Sequence, residues 1–214
     1  MFVGLGGNNL PKQTFLNLPE EKKQTLNRVL MKEFSRVPLF EASISNIVKE
    51  AGIPRGSFYQ YFEDKDDAFF YILNDFVIKI SNQFVFLLHS HNGDLFQTMI
   101  DLYRMIIEEE NISFLKNAFL NMTHKIEYAF EKIFKPNEHS HNDFEKISSL
   151  INRANLNISN DQELTHVIRI ISTITFRNFV EKFAHDLPSD VALDNYIIEI
   201  NLIKRGLSKE TTSK

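Results

Sequence analysis

Apolar residues recur at intervals of three and four positions along most of this chain, which is the spacing of one face of an α-helix. The first such stripe consists of Leu26, Val29, Leu30 and Phe34. It begins after Glu20, an acidic residue suited to the first turn of a helix, and it ends before Pro38. Because the pattern shows no strand-like alternation, it predicts an all-α fold.

Two short helices follow, separated by a glycine turn. Ser43 is a good N-cap for the first of them, and Gly52 lies where a left-handed residue ends a helix easily. The second is predicted over Arg55–Tyr61. Packed on the longer first helix, this pair predicts a helix-turn-helix over residues 19–64.

The rest of the chain is predicted to be helical as well. Asp64 and Asp67 are spaced like a capping box at the start of a long helix that runs to about His89. Further helices are predicted at Leu95–Glu110, Ile112–Met122, Thr123–Phe134, Asn142–Leu156, Gln162–His185 and Val191–Leu207. The breaks between helices are marked by Asn92-Gly93, Pro136-Asn137 and Pro188-Ser189. Residues 1–18 lack a clear period and are predicted to be a mobile extension, which leaves residues 65–214 as a larger helical domain.

Composition agrees with a helical globular protein. The chain has 214 residues, of which 43% are hydrophobic, with only 7 Gly and 6 Pro. The absence of Cys excludes disulfides and thiolate chemistry and favours an intracellular location. No uninterrupted apolar stretch approaches the roughly 18 residues that span a bilayer, and the first ten residues do not resemble a signal peptide. We therefore expect a cytoplasmic protein without a membrane partner.

The net charge of −4 does not by itself suggest nucleic acid binding. Its distribution is slightly more informative, because residues 1–66 have a net charge of +1 and the remainder a net charge of −5. This asymmetry is small but lies in the direction expected for a DNA-binding N-terminal part.

The stretch SISNIVKEAGIPRGSFYQYFEDKDDAF, from Ser43 to Phe69, resembles the DNA-binding signature of the TetR family of transcriptional regulators. The matching positions are Ile47, Ala51-Gly52, Gly56-Ser57-Phe58-Tyr59-Gln60-Tyr61-Phe62 and Lys65. The chain departs from the family pattern at Pro38-Leu39-Phe40, where Gly is frequent, and at Val48, where Ala is frequent. The resemblance implies a three-helix DNA-binding domain followed by a helical domain for effector binding and dimerisation.

A short helix of this kind reads double-stranded DNA from the major groove with its N-terminal end. Arg55 suits a bidentate contact to guanine, and Gly56 lets the backbone approach DNA closely. Phe58 and Phe62, four positions apart, are expected to face the core rather than DNA. The complete set of predicted DNA-binding residues, most of them through hydroxyl or ammonium contacts to phosphate, is Ser43, Ser45, Arg55, Gly56, Ser57, Tyr59, Gln60, Tyr61 and Lys65.

The helix Gln162–His185 is apolar nearly all round, so it must be buried on two sides. One side is expected to pack on its own domain and the other on a partner, and the resemblance implies that it pairs with the last helix across a two-fold axis. A homodimer of this kind implies a near-palindromic operator. The predicted interface residues are Leu164, Ile168, Ile171, Thr175, Ile197 and Ile200. The alternative is that both helices belong to the core of one chain.

The resemblance also implies a cavity for an unknown small apolar or aromatic effector. Its predicted lining is Phe84, Met99, Tyr103, Phe119, Met122, Tyr128 and Phe176, and the alternative for each is ordinary core packing. The sequence His-Ser-His-Asn occurs at both His89–Asn92 and His139–Asn142, in predicted loops without Cys. Solvated histidines are the simpler interpretation there, so neither a metal nor another cofactor is expected.

Three functions remain to be compared. The leading hypothesis is a repressor released from DNA by an effector that prefers the dimer state unable to bind DNA. The second is a DNA-binding adaptor or nucleoid-associated protein of the same fold without a small-molecule ligand, which a filled core would favour. The third is an enzyme, and no catalytic combination of residues at a supporting spacing favours it.

Overall fold

The computed structural model describes residues 11–109, 112–131, 133 and 147–207. These residues form α-helices joined by turns and contain no β-strand, which confirms the predicted all-α fold. The α-helices are α1 (Gln13–Leu16), α2 (Glu20–Arg36), α3 (Ile44–Ala51), α4 (Arg55–Tyr61), α5 (Lys65–Ser90), α6 (Leu95–Ile107), α7 (Ile112–Leu120), α8 (His124–Glu131), α9 (Asp161–Ala184) and α10 (Ser189–Leu207). Residues 147–150 are also helical, and 3₁₀ turns cover Leu39–Glu41 and Arg153–Asn155.

The described residues divide into two compact units. The first comprises residues 11–78 and 112–130, and the second comprises residues 79–109 together with the described residues from 131 onward. The first unit therefore extends past residue 64, the predicted end of the helix-turn-helix domain. The functional division at residue 64 stays a prediction.

Most predicted helix bounds agree with the observed ones to within two or three residues. The largest difference concerns the predicted helix Asn142–Leu156, of which residues 142–146 lie outside the described part. Helical structure covers residues 147–150 and then stops, because Asn152 adopts an extended conformation and accepts a hydrogen bond from the Ala154 N–H to start a 3₁₀ turn. The predicted break at Pro136-Asn137 also lies outside the described residues.

The first unit is built around α2, which packs against α3 and α7. Aromatic rings make up much of its core. The ring of Phe69, for example, contacts those of Phe34 and Phe114, with centroids 5.2 and 5.4 Å apart. Phe58 and Phe62 are both fully buried, as the sequence predicted. Burying such large rings supplies most of the free energy that holds short helices like α3 and α4 in place.

The prediction of a mobile N-terminal extension is wrong for residues 12–18. These residues include α1, and the side chain of Phe15 is 1% exposed. The ring of Phe15 lies 5.0 Å from those of both Phe62 and Tyr71, measured between centroids. The aromatic side chain of Phe15 therefore packs a segment that shows no apolar period against the rest of the unit. Residues 1–10 lie outside the described part.

The start of α5 has the predicted capping arrangement. The Asp64 carboxylate accepts a hydrogen bond from the Asp67 N–H at 2.8 Å, and the Asp67 carboxylate accepts one from the Glu63 N–H at 3.0 Å. By length and composition alone, α5 is long and apolar enough to cross a membrane. Many of its apolar side chains between Ala68 and Leu88 are buried inside the protein, although Phe86 is 63% exposed, and a helix that contributes to the core shows the same composition.

In the second unit, α10 packs against both α6 and α9. At the centre, the ring of Tyr103 stacks on that of Tyr196 with 4.2 Å between centroids. The Tyr196 hydroxyl shares a hydrogen bond of 2.7 Å with the Thr175 hydroxyl, and the Asn178 amide donates to Glu199 at 2.7 Å. Burial raises the pKa of both tyrosines above the ordinary value, so their hydroxyls stay protonated.

The predicted break at Asn92-Gly93 is a turn that only glycine fits. Gly93 has a φ of +80°, in the left-handed region. A Cβ there would lie 2.4 Å from the carbonyl oxygen of Leu150 and 2.6 Å from the nitrogen of Asn152. The Asn152 N–H donates to the Gly93 carbonyl at 2.9 Å, so this glycine lets the segment after residue 147 pack against the turn.

Candidate nucleic-acid interface

The turn between α3 and α4 has the geometry that the sequence predicted. Ser43 caps α3 by accepting a hydrogen bond from the Asn46 N–H at 3.4 Å. Gly52 ends α3 with a φ of +64°, and the Ile53 N–H reaches back to the Val48 carbonyl at 3.1 Å, as in a Schellman motif. Pro54 then fixes the entry to α4, which begins at the next residue.

Three of the predicted DNA-binding residues are in direct contact at the start of α4. The Arg55 guanidinium donates to the Ser45 hydroxyl at 3.0 Å and to the Tyr59 hydroxyl at 3.2 Å. It also lies 5.7 Å from the centroid of the Tyr59 ring, within the range of a cation–π contact. Arg55 is exposed and Tyr59 is 40% exposed, so this group presents a fixed cation at the surface.

The neighbouring positions on α4 are open. Gly56 is exposed, and a Cβ placed there would meet nothing within 4 Å. The protein's own packing therefore does not require a glycine at this position, which agrees with the predicted close approach of another molecule. Gln60 is exposed and Ser57 is half-buried on the same helix.

Tyr61 and Lys65 have partners within the protein. The ring of Tyr61 is half-buried and lies edge-on to Phe15, with centroids 6.1 Å apart. The Lys65 ammonium donates to the carbonyl oxygens of Phe40 at 2.7 Å and Ala42 at 3.2 Å. Lys65 thus ties the start of α5 to the link between α2 and α3, and its contact to phosphate stays a prediction.

Glu33 is a positioning residue that the sequence analysis missed. It lies on α2 among apolar neighbours and is 6% exposed. One carboxylate oxygen accepts hydrogen bonds from Arg36 at 2.8 Å and from the Ser43 N–H at 2.8 Å, and the Asn46 amide adds a third at 3.3 Å. Glu33 therefore docks the N-terminal end of α3 on α2. A carboxylate within the stripe formed by Val29, Leu30 and Phe34 was the available signal.

These hydrogen bonds also set the charge state of Glu33. The bond from Arg36 is the largest influence and holds the pKa of Glu33 below its ordinary value, whereas burial acts to raise it. The Ser43 N–H and the Asn46 amide lower the pKa further. The folded protein therefore stabilises the ionised carboxylate.

Replacing Glu33 with glutamine is expected to lower the free energy of unfolding by about 1–2 kcal/mol at pH 7, because charge-assisted hydrogen bonds become neutral ones. Since the folded-state pKa is depressed, the stabilisation is present above the unfolded pKa of about 4.3 and is lost as pH falls through the folded pKa. The difference between wild type and Glu33→Gln should therefore shrink between about pH 5 and pH 3. Urea unfolding at several pH values measures it.

Glu50→Gln is the matched control, because Glu50 pairs with Lys32 at 2.6 Å on the surface of α3. Exposed pairs of this kind contribute a few tenths of a kcal/mol, so little change is expected at any pH. A deficit of Glu33→Gln that stays constant from pH 7 to pH 3 would contradict the role assigned to the ionised carboxylate.

The predicted pocket residues do not form one group in either unit. Phe84, Met99 and Tyr103 are buried in the core of the second unit, where Phe176 is half-buried. The first unit contains the others, which are Phe119, Met122 and Tyr128, and Tyr128 is 45% exposed. A cleft of about 500 Å³ in the second unit is lined instead by Arg177, Asn178, Glu181, Leu187, Ala192, Asn195, Ile198 and Glu199. The assignment of an effector pocket therefore stays a prediction.

The predicted dimer interface requires a correction. Five of its residues are at most 7% exposed within the single chain, namely Leu164, Ile168, Ile171, Thr175 and Ile200. Ile197 is half-buried. This stripe is the side of α9 and α10 that forms the core of their own unit, so it is not available to a partner. Among the side chains that the structure describes on these helices, the large apolar ones that are exposed are Ile170, Val191, Ile198 and Leu202, between 42% and 58% exposed.

Of the two His-Ser-His-Asn repeats, the structure describes the first, His89–Asn92. Nε2 of His91 lies 2.8 Å from the carboxylate of Asp101, and His89 is exposed. No group of three or more potential metal ligands occurs among the described residues. The second repeat, His139–Asn142, lies outside them.

Comparisons with known proteins agree with the geometry of this site. The family of bacterial regulatory proteins called tetR matches residues 29–72, and the tetracyclin repressor-like C-terminal domain matches residues 94–207, more than half of the chain. A search of curated proteins gave no match.

Solved structures share the fold. SmeT, the repressor of the Stenotrophomonas maltophilia multidrug efflux pump SmeDEF, aligns with a TM-score of 0.67 at 11% identity, over 94% of this chain and 95% of its own. NalD, the secondary repressor of the MexAB-OprM multidrug efflux pump in Pseudomonas aeruginosa, aligns with a TM-score of 0.60 at 15% identity, over 89% and 98%. A TetR family transcriptional regulator from Chloroflexus aurantiacus aligns with a TM-score of 0.52 at 22% identity, over 94% and 100%.

The signature in α3 and α4, the all-α fold and the two family matches lead to one assignment. The chain belongs to the TetR family and is a DNA-binding transcriptional regulator.

Proposed function

We propose that this protein is a cytoplasmic repressor that binds a near-palindromic operator as a homodimer and leaves it when a small apolar or aromatic effector binds. The observation that carries the proposal is the exposed Arg55 guanidinium, held by Ser45 and Tyr59 at the N-terminal end of α4. SmeT and NalD are both described as repressors, which supports the sign of regulation.

Recognition of DNA follows from the chemistry of this end of α4. Guanine presents two hydrogen-bond acceptors in the major groove, and a guanidinium matches both at once. The two bonds to Ser45 and Tyr59 use two of the five N–H donors of Arg55 and limit its rotamers, so less conformational entropy is lost on binding. Gly56 lets the backbone come close to DNA, and the hydroxyls of Ser57 and Tyr59 are suited to phosphates.

Dimerisation would bring two copies of α4 to one operator. Among the described side chains of α10, the large apolar ones that are exposed are Val191, Ile198 and Leu202, and their spacing of seven and four places them on one helical face. On α9, the large apolar residue Ile170 is exposed. We assign this face, rather than the buried stripe with Ile171, to a second copy of the chain, because a two-fold interface buries the same patch on both subunits.

A second candidate is a DNA-binding adaptor of the same fold that lacks a small-molecule ligand. The packing of the second unit favours it, because Tyr103, Phe84 and Met99, which were predicted to line the pocket, are at most 1% exposed. Tyr103 is in van der Waals contact with Tyr196 and Phe179, with ring centroids 4.2 and 4.8 Å away. An effector would have to displace or rearrange this cluster.

The experiment that tests the proposal is selection of DNA by the full-length protein from a random duplex pool, followed by footprinting. We expect enrichment of one inverted repeat with half-sites about one helical turn apart. A pool that stays random after repeated rounds would contradict sequence-specific binding. Small aromatic compounds are then tested for release of the enriched duplex, and release separates the repressor from the adaptor.

A further inference from the structure

The C-terminal end of the recognition helix α4 is completed by the segment before α2. A helix leaves its last four carbonyl groups without partners inside the helix. In α4 these belong to residues 58–61, and only the first is satisfied locally, by the Phe62 N–H at 2.9 Å. The other three accept hydrogen bonds from Lys12 and Thr14, which lie more than 40 positions earlier in the chain.

Each of these bonds comes from a different donor. The Lys12 ammonium donates to the Tyr59 carbonyl at 2.9 Å, and the Thr14 hydroxyl donates to the Gln60 carbonyl. The backbone N–H of Lys12 donates to the Tyr61 carbonyl at 2.8 Å. The positive charge of Lys12 also lies at the end of α4 where the helix dipole is negative.

Phe15 fixes this segment in place. Its ring is 1% exposed and contacts the rings of Phe62, Tyr71 and Tyr61, at 5.0, 5.0 and 6.1 Å between centroids. By contrast, the side chains of Lys12 and Thr14 are exposed. The segment therefore has a buried aromatic anchor, and it has two surface side chains whose described hydrogen bonds go to carbonyls of the recognition helix.

We propose that Lys12, Thr14 and Phe15 form an N-terminal clamp that sets the pose of the recognition helix and thereby its affinity for the operator. The clamp rests on the proposed function, because it acts through α4. A helix of seven residues has little stability of its own, so its position depends on what holds its two ends. The turn at Gly52 holds the N-terminal end, and the clamp holds the other. Lys12 and Thr14 are positioning residues that act through α4 and not through contact with DNA.

The test uses full-length Lys12→Met/Thr14→Val, which removes both side-chain donors and leaves Phe15 in the core. Affinity is measured for the duplex that the wild type enriches and for a random duplex of equal length. For the enriched duplex, affinity is expected to fall on the order of tenfold, since two hydrogen bonds that order α4 are lost. Affinity for random DNA should change by less than about twofold, because phosphate contacts are not involved.

Two kinds of control accompany this variant. Gln13→Ala changes the same short helix, but Gln13 bonds only to Asn17 among the described contacts, so wild-type affinity is expected. The conservative double variant Lys12→Arg/Thr14→Ser keeps both hydrogen-bond donors, so its affinity for the enriched duplex should be close to that of the wild type. Thr14→Val alone removes an exposed hydroxyl without altering charge, and it keeps the test valid if the double variant folds poorly.

The salt dependence of binding distinguishes positioning from direct contact. If Lys12 bound a phosphate, its loss would weaken binding to both duplexes and make the slope of log K against log salt less steep by about one for each subunit. A clamp leaves the slope unchanged. A parallel loss on both duplexes with a reduced slope would overturn the proposal, as would wild-type affinity in the double variant.

Hydrogen exchange tests the clamp without DNA. Amides in the last turn of α4 should exchange faster in the double variant, whereas those of α2 should not. If the wild type enriches no sequence, the proposed function fails, and exchange still decides the clamp. If the amides of α4 exchange at the same rate in the double variant as in the wild type, the proposal of the N-terminal clamp is overturned.

Discussion

Arg55→Ala is expected to abolish selective binding to the operator while leaving the fold and the oligomeric state intact. Arg55 is exposed, and the two residues that it bonds to, Ser45 and Tyr59, are exposed as well, so the fold of the domain should not depend on it. A good bidentate contact to a base contributes about 1–3 kcal/mol of discrimination, and a dimer makes it twice. Affinity for the enriched duplex should therefore fall by about a hundredfold or more, as measured by fluorescence anisotropy.

The contacts of Arg55 suggest two companion variants. Tyr59→Phe keeps the ring beneath the guanidinium but removes the hydroxyl that accepts from it, so an intermediate loss is expected. Arg28→Ala is the charge-matched control, because Arg28 is exposed on α2 on the side away from its buried stripe. If Arg55→Ala binds the enriched duplex as well as Arg28→Ala does, the site has been assigned to the wrong residues.

The helix-turn-helix could be predicted from the sequence almost residue by residue. Its bounds are set by local chemistry: Ser43 caps α3, Gly52 takes the left-handed conformation that ends it, and Pro54 precedes α4. Each of these residues affects the backbone only a few positions away from it in the sequence. Phe58 and Phe62 were likewise correct as core residues, because a two-turn helix can bury only one face.

Contacts between distant parts of the chain could not be predicted in this way. The N-terminal clamp depends on Phe15, one aromatic side chain without a periodic neighbour. Glu33 occupies a core position as a carboxylate because Arg36, Ser43 and Asn46 supply its hydrogen bonds, and only the folded chain brings Ser43 and Asn46 to it. The pattern of apolar and polar positions along a chain does not show which distant residues will supply hydrogen bonds to a buried carboxylate.

For the proposed dimer interface, the sequence could not predict which side of α9 is buried within its own chain. A helix that is apolar nearly all round, such as α9, has no unique buried side in its sequence. Thr175 and Asn178 lie on the buried side, where the Thr175 hydroxyl pairs with Tyr196 and the Asn178 amide donates to Glu199. Meanwhile Ile170 on the same helix is 46% exposed. These hydrogen bonds allow the polar groups of the predicted stripe to be buried, and another apolar side of the helix stays exposed.

The same argument predicts which substitution separates the subunits. Ile198→Glu combined with Leu202→Glu is expected to give a folded monomer, because both side chains are more than half exposed within the single chain and a carboxylate there would be buried only in a dimer. Sedimentation should show half the wild-type mass. Operator affinity should fall by roughly 10²- to 10⁴-fold, since the second half-site is no longer bound as an intramolecular event.

Two variants show whether this face is the interface. Phe86→Glu places the same charge on α5 at a residue 63% exposed, and it should leave the dimer intact. Ile171→Glu, on the stripe first predicted from the sequence, should instead unfold the protein, because Ile171 is 1% exposed within its own chain. A double variant of Ile198 and Leu202 that remains dimeric would place the interface elsewhere. If Ile171→Glu gave a folded monomer, the interface would instead lie on the stripe predicted from the sequence. The two results together decide which side of α9 and α10 contacts the partner.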